Sequence, residues 1–378
     1  MARSALKFKL LLKKDMKLPD LIRIFPVPEY IEPPVLGLDI SDRSLKYVEL
    51  ALKNGHLELE KFGSRIIPDG FIKSGEIVNK NALVEYLKLN LEEFKGREIA
   101  LSLPEEKVFV GLVTLPFMPE ANIHEVLEVQ LEEHIPLSAT DAVFDFELIP
   151  SSTDSKDHLD VILVALPKKL VEDYSDVVKA VGLRPYVFEM ETAALVRSIL
   201  PKDEEGTIMV MDFGRTRTSF AIVSGGMIRF TSTVSVAGES LDASLAKVFN
   251  IDLFSAERLK KERGFVRTKE NQEIFNALLP VVSAIKEEIF RHLMYWQNHA
   301  EHVHYPKGEI SRLYLCGGES NLTGLSEYLS YDLKLPVQIA NPWVNISSFE
   351  KYIPAVTANE SLSYATALGL ALRSSKSL

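Results

Sequence analysis

One pattern occurs twice in this chain, and few folds accommodate it. In Val35–Leu52, VLGLDISDRSLKYVELAL, an apolar run ends in Asp39, a polar turn Ser41-Asp42-Arg43-Ser44 follows, and a second run returns from Leu45 to Leu52. In Ile208–Val223, IMVMDFGRTRTSFAIV, the apolar run ends in Asp212, the turn is Gly214-Arg215-Thr216-Arg217-Thr218, and Ser219–Val223 returns. Each copy then meets a two-residue turn, Asn54-Gly55 or Gly225-Gly226, whose residues supply the positive φ that tight hairpins demand. Backbone N–H groups and small hydroxyls in such turns face an anion, and a carboxylate at the strand end holds Mg²⁺ through water. Two related halves, each with an acid-tipped hairpin, imply a ligand held between them.

The rest of the chain reads as α/β. Asn79–Phe94 has helical spacing through Leu83, Leu87, Leu91 and Phe94, and Glu98–Leu103 is a short apolar strand ended by Pro104. Over about 104–185 the order is strand Lys107–Leu115, helix Glu120–His134, strand Ala142–Ile149, strand Leu159–Leu166, helix Lys168–Ala180 and strand Arg184–Phe188, which predicts a small inserted α+β unit. Glu191–Leu200 predicts a short helix leading to the second copy. Beyond that copy, helices are expected at Gly238–Phe249, around Ser255–Lys260, and over Gln272–Asn298. Strand Arg312–Cys316 then enters Gly317-Gly318-Glu319-Ser320-Asn321, followed by helix Leu325–Tyr331 and an Ala- and Leu-rich helix over Ala355–Arg373. Strand, double glycine, helix start is a third nucleotide-type turn, because glycine lets a ring or phosphate approach the backbone.

Composition narrows the function classes. With 378 residues and 46% hydrophobic content, the chain is long enough for two or more domains and a large core. A net charge of −10 argues against non-specific nucleic-acid binding, so no nucleic-acid partner is expected. The single cysteine, Cys316, excludes an internal disulfide, fits a reducing compartment, and reads as a small buried residue at a strand end. No apolar run approaches the roughly 20 residues needed to span a bilayer, and Lys7, Lys9, Lys13 and Lys14 interrupt any signal-peptide pattern. Met1–Pro34 reads as a basic extension with a stiff linker at Pro26, Pro28, Pro33 and Pro34; its functional alternative is contact with a membrane surface or a partner. His299, His302 and His304 lack a Cys or carboxylate companion and read as solvated, while Tyr295 and Trp296 read as core.

The order of acid turn, inserted unit, acid turn, Ala256-Glu257-x-x-Lys260 and Gly317-Gly318 resembles the actin-like ATPase superfamily and, within it, the PilM family of type IV pilus assembly. GLDISDRSLKYVEL resembles the family's first phosphate loop, the stretch through LEEHIPL its inserted subdomain, MDFGRTRTSF its second phosphate loop, and LYLCGGESNLTGLSEYL its adenosine loop, over roughly 35–375. The resemblance implies an α/β actin-like (ribonuclease H-like) two-domain fold: an extension over 1–34, a first domain over 35–205 with an inserted α+β subdomain at about 104–185, a second domain over 206–354, and a helix over 355–378 returning to the first.

The resemblance also implies ATP or ADP with Mg²⁺. Asp39 and Asp212 would hold the metal through water; Ser41, Ser44, Lys46, Gly214, Arg215, Thr216 and Thr218 would meet the phosphates. Glu257 and Lys260 would face the ribose and base, Gly317, Gly318 and Glu319 would run along the adenosine, and Glu191 would sit near the attacking water as a candidate catalytic acid. The implied partner is the cytoplasmic tail of an inner-membrane protein such as PilN, gripped near the inserted subdomain, with pilus assembly ATPases and self-association as further possibilities. The resemblance thus implies a cytoplasmic protein, peripheral to the inner face of the cell membrane through its partners. Two departures stand out: Ser41 replaces a family glycine, and Glu319 stands where a small residue is usual. With no unambiguous general base, the expectation is ATP binding with slow or no hydrolysis. An FtsA-like division protein and a sugar-kinase-like phosphotransferase share this core. The first carries a C-terminal anchoring helix, for which Ser374–Leu378 is too short, and the second needs a catalytic Asp for which no clear motif exists.

Overall fold

A computed structural model describes residues 34–53, 55–149, 158–299 and 308–374. The basic arm, Asn54 of the first hairpin turn, the polar loop 151–157, His302, His304 and residues 375–378 lie outside the described residues.

Two five-stranded sheets organise the chain. The first half supplies β1 (Leu36–Ile40), β2 (Ser44–Lys53), β3 (His56–Ile66), a small ribbon of β4 (Ile72–Lys73) and β5 (Glu76–Ile77), helix α1 (Lys80–Leu91) and β6 (Glu98–Leu103). Then come β7 (Phe109–Pro116), α2 (Glu120–His134), β8 (Ala142–Leu148), β9 (His158–Pro167), α3 (Lys168–Val181), β10 (Arg184–Met190) and α4 (Glu191–Ile199). The second half supplies β11 (Thr207–Phe213), β12 (Thr218–Ser224), β13 (Met227–Val234), α5 (Gly238–Phe249), α6 (Leu253–Arg263), α7 (Gln272–His299), β14 (Leu313–Cys316), α8 (Leu325–Leu333) and β15 (Val337–Ile339). The last helices are α9 (Ala358–Ser361) and α10 (Ala365–Ala371).

The strand orders are β3-β2-β1-β6-β10 and β13-β12-β11-β14-β15. In each sheet the hairpin strands pair antiparallel, and the remaining pairs are parallel. The repeat seen in the two hairpins therefore extends to whole sheets. Gly225 and Gly226 both take positive φ (59° and 72°), as the second hairpin turn requires.

β7, β9 and β8 form a separate antiparallel sheet in that order. Its central strand β9 is apolar from Val161 to Leu166 because both faces are covered there. Val161, Leu163 and Ala165 face Ile123, Leu127 and Leu131 of α2, while Ile162, Val164 and Leu166 join the core of the first sheet. Helix α3, which the sequence groups with the inserted unit, shares that first core too: Leu170, Tyr174 and Val178 cluster with Leu83, Leu87 and Phe94.

The single helix expected over 355–373 is broken. α9 runs into a 3₁₀ turn at Leu362–Tyr364, α10 follows, and a second 3₁₀ turn closes at Leu372–Ser374. Thr357 and Glu360 form a capping box, and the hydroxyls of Ser361 and Ser363 donate to the carbonyls of Ala358 and Glu360 at 2.6 and 2.7 Å. Serines bonded back to the preceding turn compete with the helical ladder and loosen it. α10 lies on β1 and against α4 with almost no side-chain gap. A Cβ at Gly37 would collide with the backbone of Ala367 and Ala371, and one at Gly369 with the carbonyl of Ala194. Arg197 of α4 ties the crossing, gripping Glu189 with both prongs (2.7 and 2.6 Å) and donating to Gly369 O (2.8 Å).

Candidate functional site

Five strand ends converge between the halves. β1 ends before Ser41, β6 before Pro104-Glu105-Glu106, β10 before Glu191, β11 before Gly214 and β14 before Gly317. All five are carboxyl ends of parallel-paired strands, where open α/β sheets place their ligands.

Asp39 is opposite Lys46 in the β1–β2 register. Ser102 Oγ donates to its Oδ1 at 2.9 Å, and Lys46 Nζ lies 3.8 Å from Oδ2. Asp212 holds the equivalent place in the second sheet, opposite Ser219 and beside Cys316. Burial pushes its carboxyl above the usual range; Lys46 and Arg217 pull it down, and Asp39 pushes it up. Lys46 therefore serves both acids from one side of the cleft. Gly317 sits at φ 85°, and a Cβ there would strike the Asp212 carboxylate, so only glycine brings the third turn against the second acid. At Gly318 the same test meets only Ser363 Cβ at 3.8 Å, leaving an open backbone face.

The turns are internally braced. Ser41 and Ser44 hydroxyls share a 2.9 Å hydrogen bond, and Ser41 N–H donates to Ser44 O at 2.9 Å. Gly214 N–H donates to Arg217 O at 3.0 Å, closing the second turn around half-exposed Thr216. Arg215 reaches Glu239 at 3.2 Å and Glu257 at 3.8 Å, and Glu257 also pairs with Lys261 at 2.6 Å.

Two residues expected at the ligand are placed elsewhere. Thr218 is fully buried and donates to Val236 O at 2.6 Å, so its hydroxyl belongs to the β12–β13 corner and not to the cleft. Lys260 is only 2% exposed and sits between Asp242 (2.8 Å) and Glu319 (2.7 Å), so its ammonium is committed to two acids. The same contact answers the charge of Glu319, whose side chain passes over Gly238 where a Cβ would block it. A buried cation between two carboxylates is held by their charge against its desolvation.

Sequence reasoning missed a second acidic group. Glu105 is buried and accepts from Thr192 N–H at the start of α4 (3.1 Å); burial raises its proton affinity above normal. Glu191 is buried beside it and likewise raised well above normal, mainly by burial, with Arg217 opposing. The signal was Pro-Glu-Glu directly after a buried strand, a place where charged residues are rare without a task. Among the described residues no three His, Cys, Asp or Glu side chains form a direct metal cage, whereas Asp39 and Asp212 across a cleft suit an ion that keeps its water shell.

Two sheets of one strand order, with a polar site at the carboxyl ends between them, define the actin-like ATPase fold. Solved structures share it: the PilM–PilN type IV pilus biogenesis complex has a TM-score of 0.75 at 24% identity, covering 91% of this chain and 99% of that one. MreB5 of Spiroplasma citri bound to ADP has a TM-score of 0.52 at 17% identity, covering 84% and 94%. The family model of type IV pilus assembly protein PilM matches residues 37–375, and the chain belongs to that family. It is also 28% identical over 219 residues to the cell division protein FtsA of Enterococcus hirae, covering 50% of this chain and 48% of that protein. The chain thus spans about half the length of the curated relative it matches.

Proposed function

We propose that this chain is an actin-like scaffold of type IV pilus assembly that binds ATP or ADP between its halves and holds the cytoplasmic tail of a PilN-like membrane protein. The observation that carries the nucleotide reading is the convergence of five strand ends on two facing acids and a glycine turn. MreB5, which shares the fold, is bound to ADP. Asp39 and Asp212 would hold Mg²⁺ through water, and that ion would supply counter-charge for the phosphates. Lys46, Gly214, Arg215 and Thr216 would meet the phosphates, Glu257 would face the ribose, and the open backbone face of Gly318 would leave room for the base. Slow or absent hydrolysis is expected because Ser41 and Glu319 depart from the family's loops and no unambiguous general base is present.

The partner reading rests on the PilM–PilN complex and on β8. That strand is an edge of the three-stranded sheet and is half-buried along its whole length, a place where an extended tail adds by strand pairing. Among the described residues no helix is long and apolar enough to cross a membrane, so a membrane-bound partner is the proposed route to the pilus machine. Calorimetry with Mg·ATP, then with a tail peptide with and without ATP, tests both parts. No heat from ATP or ADP at millimolar concentration removes the nucleotide reading. Tail affinity indifferent to ATP removes the coupling.

A further inference from the structure

Arg217 belongs to the second acid-tipped turn, yet its ion pairs among the described residues all reach into the first half. Its guanidinium lies 2.8 Å from Glu106 Oε1, 2.8 Å from Glu191 Oε1 and 3.8 Å from Asp42 Oδ1. These acids come from three segments: the turn after β6, the start of α4, and the first acid-tipped turn. The side chain is 13% exposed, so this is no solvated surface pair. Two of the three partner segments are anchored independently of it. Asp42 accepts from the N–H groups of Ser74 and Gly75 at 2.9 Å each, and Glu191 begins a helix whose next residue is capped by Glu105. Asp42 and the start of α4 therefore keep their places if the arginine leaves. A guanidinium fork fits phosphate oxygens as well as carboxylate oxygens, and this one extends from the turn that carries Gly214, Arg215 and Thr216.

We propose that Arg217 is a polyphosphate ligand held in reserve: without nucleotide it latches the second turn to Asp42, Glu106 and Glu191, and the terminal phosphates of a bound nucleotide draw it off them. This inference rests on the nucleotide reading above. Binding then competes with the latch, so affinity is reduced by the fraction of molecules in which Arg217 is free. Glu106 lies in the 3₁₀ turn Glu105–Lys107, three residues before β7 begins, so release of the latch is felt first at the root of the three-stranded sheet.

The test titrates Mg·ATP and inorganic tripolyphosphate into the full-length protein, Glu106→Gln and Arg217→Gln, with melting curves as the folding control. Glu106→Gln removes one latch contact and is expected to bind both ligands about 3- to 10-fold tighter. Arg217→Gln removes a phosphate contact and is expected to bind both about 10- to 100-fold weaker. An arginine that only braces the fold gives no such opposition of sign. If both variants bind like wild type, or both weaken together, the latch is overturned while the nucleotide reading stands. A gain for ATP without one for tripolyphosphate overturns it as well, because the effect then lies away from the phosphates. If none of the three binds ATP, the nucleotide reading itself falls and the latch with it. Should Arg217→Gln fail to fold, Glu106→Gln decides alone, since it keeps the Glu191 and Asp42 contacts.

Discussion

Asp39 and Asp212 occupy the same place in two sheets of the same strand order, yet their surroundings differ. Asp39 has a lysine opposite it in register and a serine hydroxyl on its carboxylate. Asp212 has a serine opposite and a glycine backbone pressed against it, and its carboxyl is raised by burial. The arginines of the second turn make their ion pairs away from their own acid. Arg215 turns to Glu239 and Glu257, and Arg217 crosses to the first half. The shared backbone fixes where the two charges sit, while the neighbours decide which one already has a counter-charge. The first acid brings its own cation, and the second depends on one from elsewhere.

The largest expected effect sharpens that contrast in a different pair of cations. Lys260 of the second half is almost fully enclosed by Asp242 and Glu319, whereas Arg97 of the first half meets Glu49 at 2.8 Å with its side chain 27% exposed. Lys260→Met leaves buried Asp242 and part-buried Glu319 unpaired and should cost about 3–5 kcal/mol in urea unfolding. Arg97→Met should cost about 1 kcal/mol, in line with a partly solvated pair. Equal losses would erase the distinction between the halves.

Next come the acids themselves. Asp212→Ala is expected to weaken Mg·ATP binding about 100-fold, and Asp39→Ala by about tenfold, because Lys46 keeps its positive charge at the first position. Calorimetry at fixed Mg²⁺ measures both, and a larger loss at Asp39 breaks the comparison. Because burial holds the Asp212 carboxyl above 3.8, wild-type Mg²⁺ affinity should also fall on acidification sooner than a free aspartate would dictate.

The smallest effect lies in the inserted sheet. Glu147 of β8 is pushed up to about 7, mainly by burial, with Arg229 opposing and Asp145 adding to it. The folded state then binds this proton more tightly than the unfolded chain, whose value is 4.5, so stability is lost as pH rises from about 4.5 to about 7. Glu147→Gln should melt higher than wild type at pH 8, with the gap closing below pH 5. A gap independent of pH would assign the gain to packing instead.

What the sequence disclosed follows from the range of the forces involved. The acid-tipped hairpins, the glycine turns and helices such as Glu120–His134 are local, so strand alternation, helical spacing and turn chemistry declare them. Arg217 with Glu106 and Glu191, and Lys260 with Asp242 and Glu319, join segments far apart in sequence, and no local pattern announces such pairs. Thr218 illustrates the limit within a correctly read turn. A hydroxyl at a strand start can face a ligand or the neighbouring strand, and here the Val236 carbonyl claims it. The last helix was misjudged because alanine and leucine content favours a continuous helix, while Ser361 and Ser363 interrupt it through their own hydroxyls.

The close seating of α10 on Gly37 bears on how the protein is made. Leu370 packs with Val35 and Ala100, and Ala367, Leu368 and Ala371 pack with Val48 and Leu50, so residues 365–371 cover one face of the first sheet. A ribosome delivers β1, β2 and β6 long before it delivers that helix. Until residues 365–371 are made, the first sheet has this apolar face uncovered, so an N-terminal unit folding first and alone leaves it incomplete. The second half is translated while the first sheet is still incomplete, and residues 365–371 later cover β1.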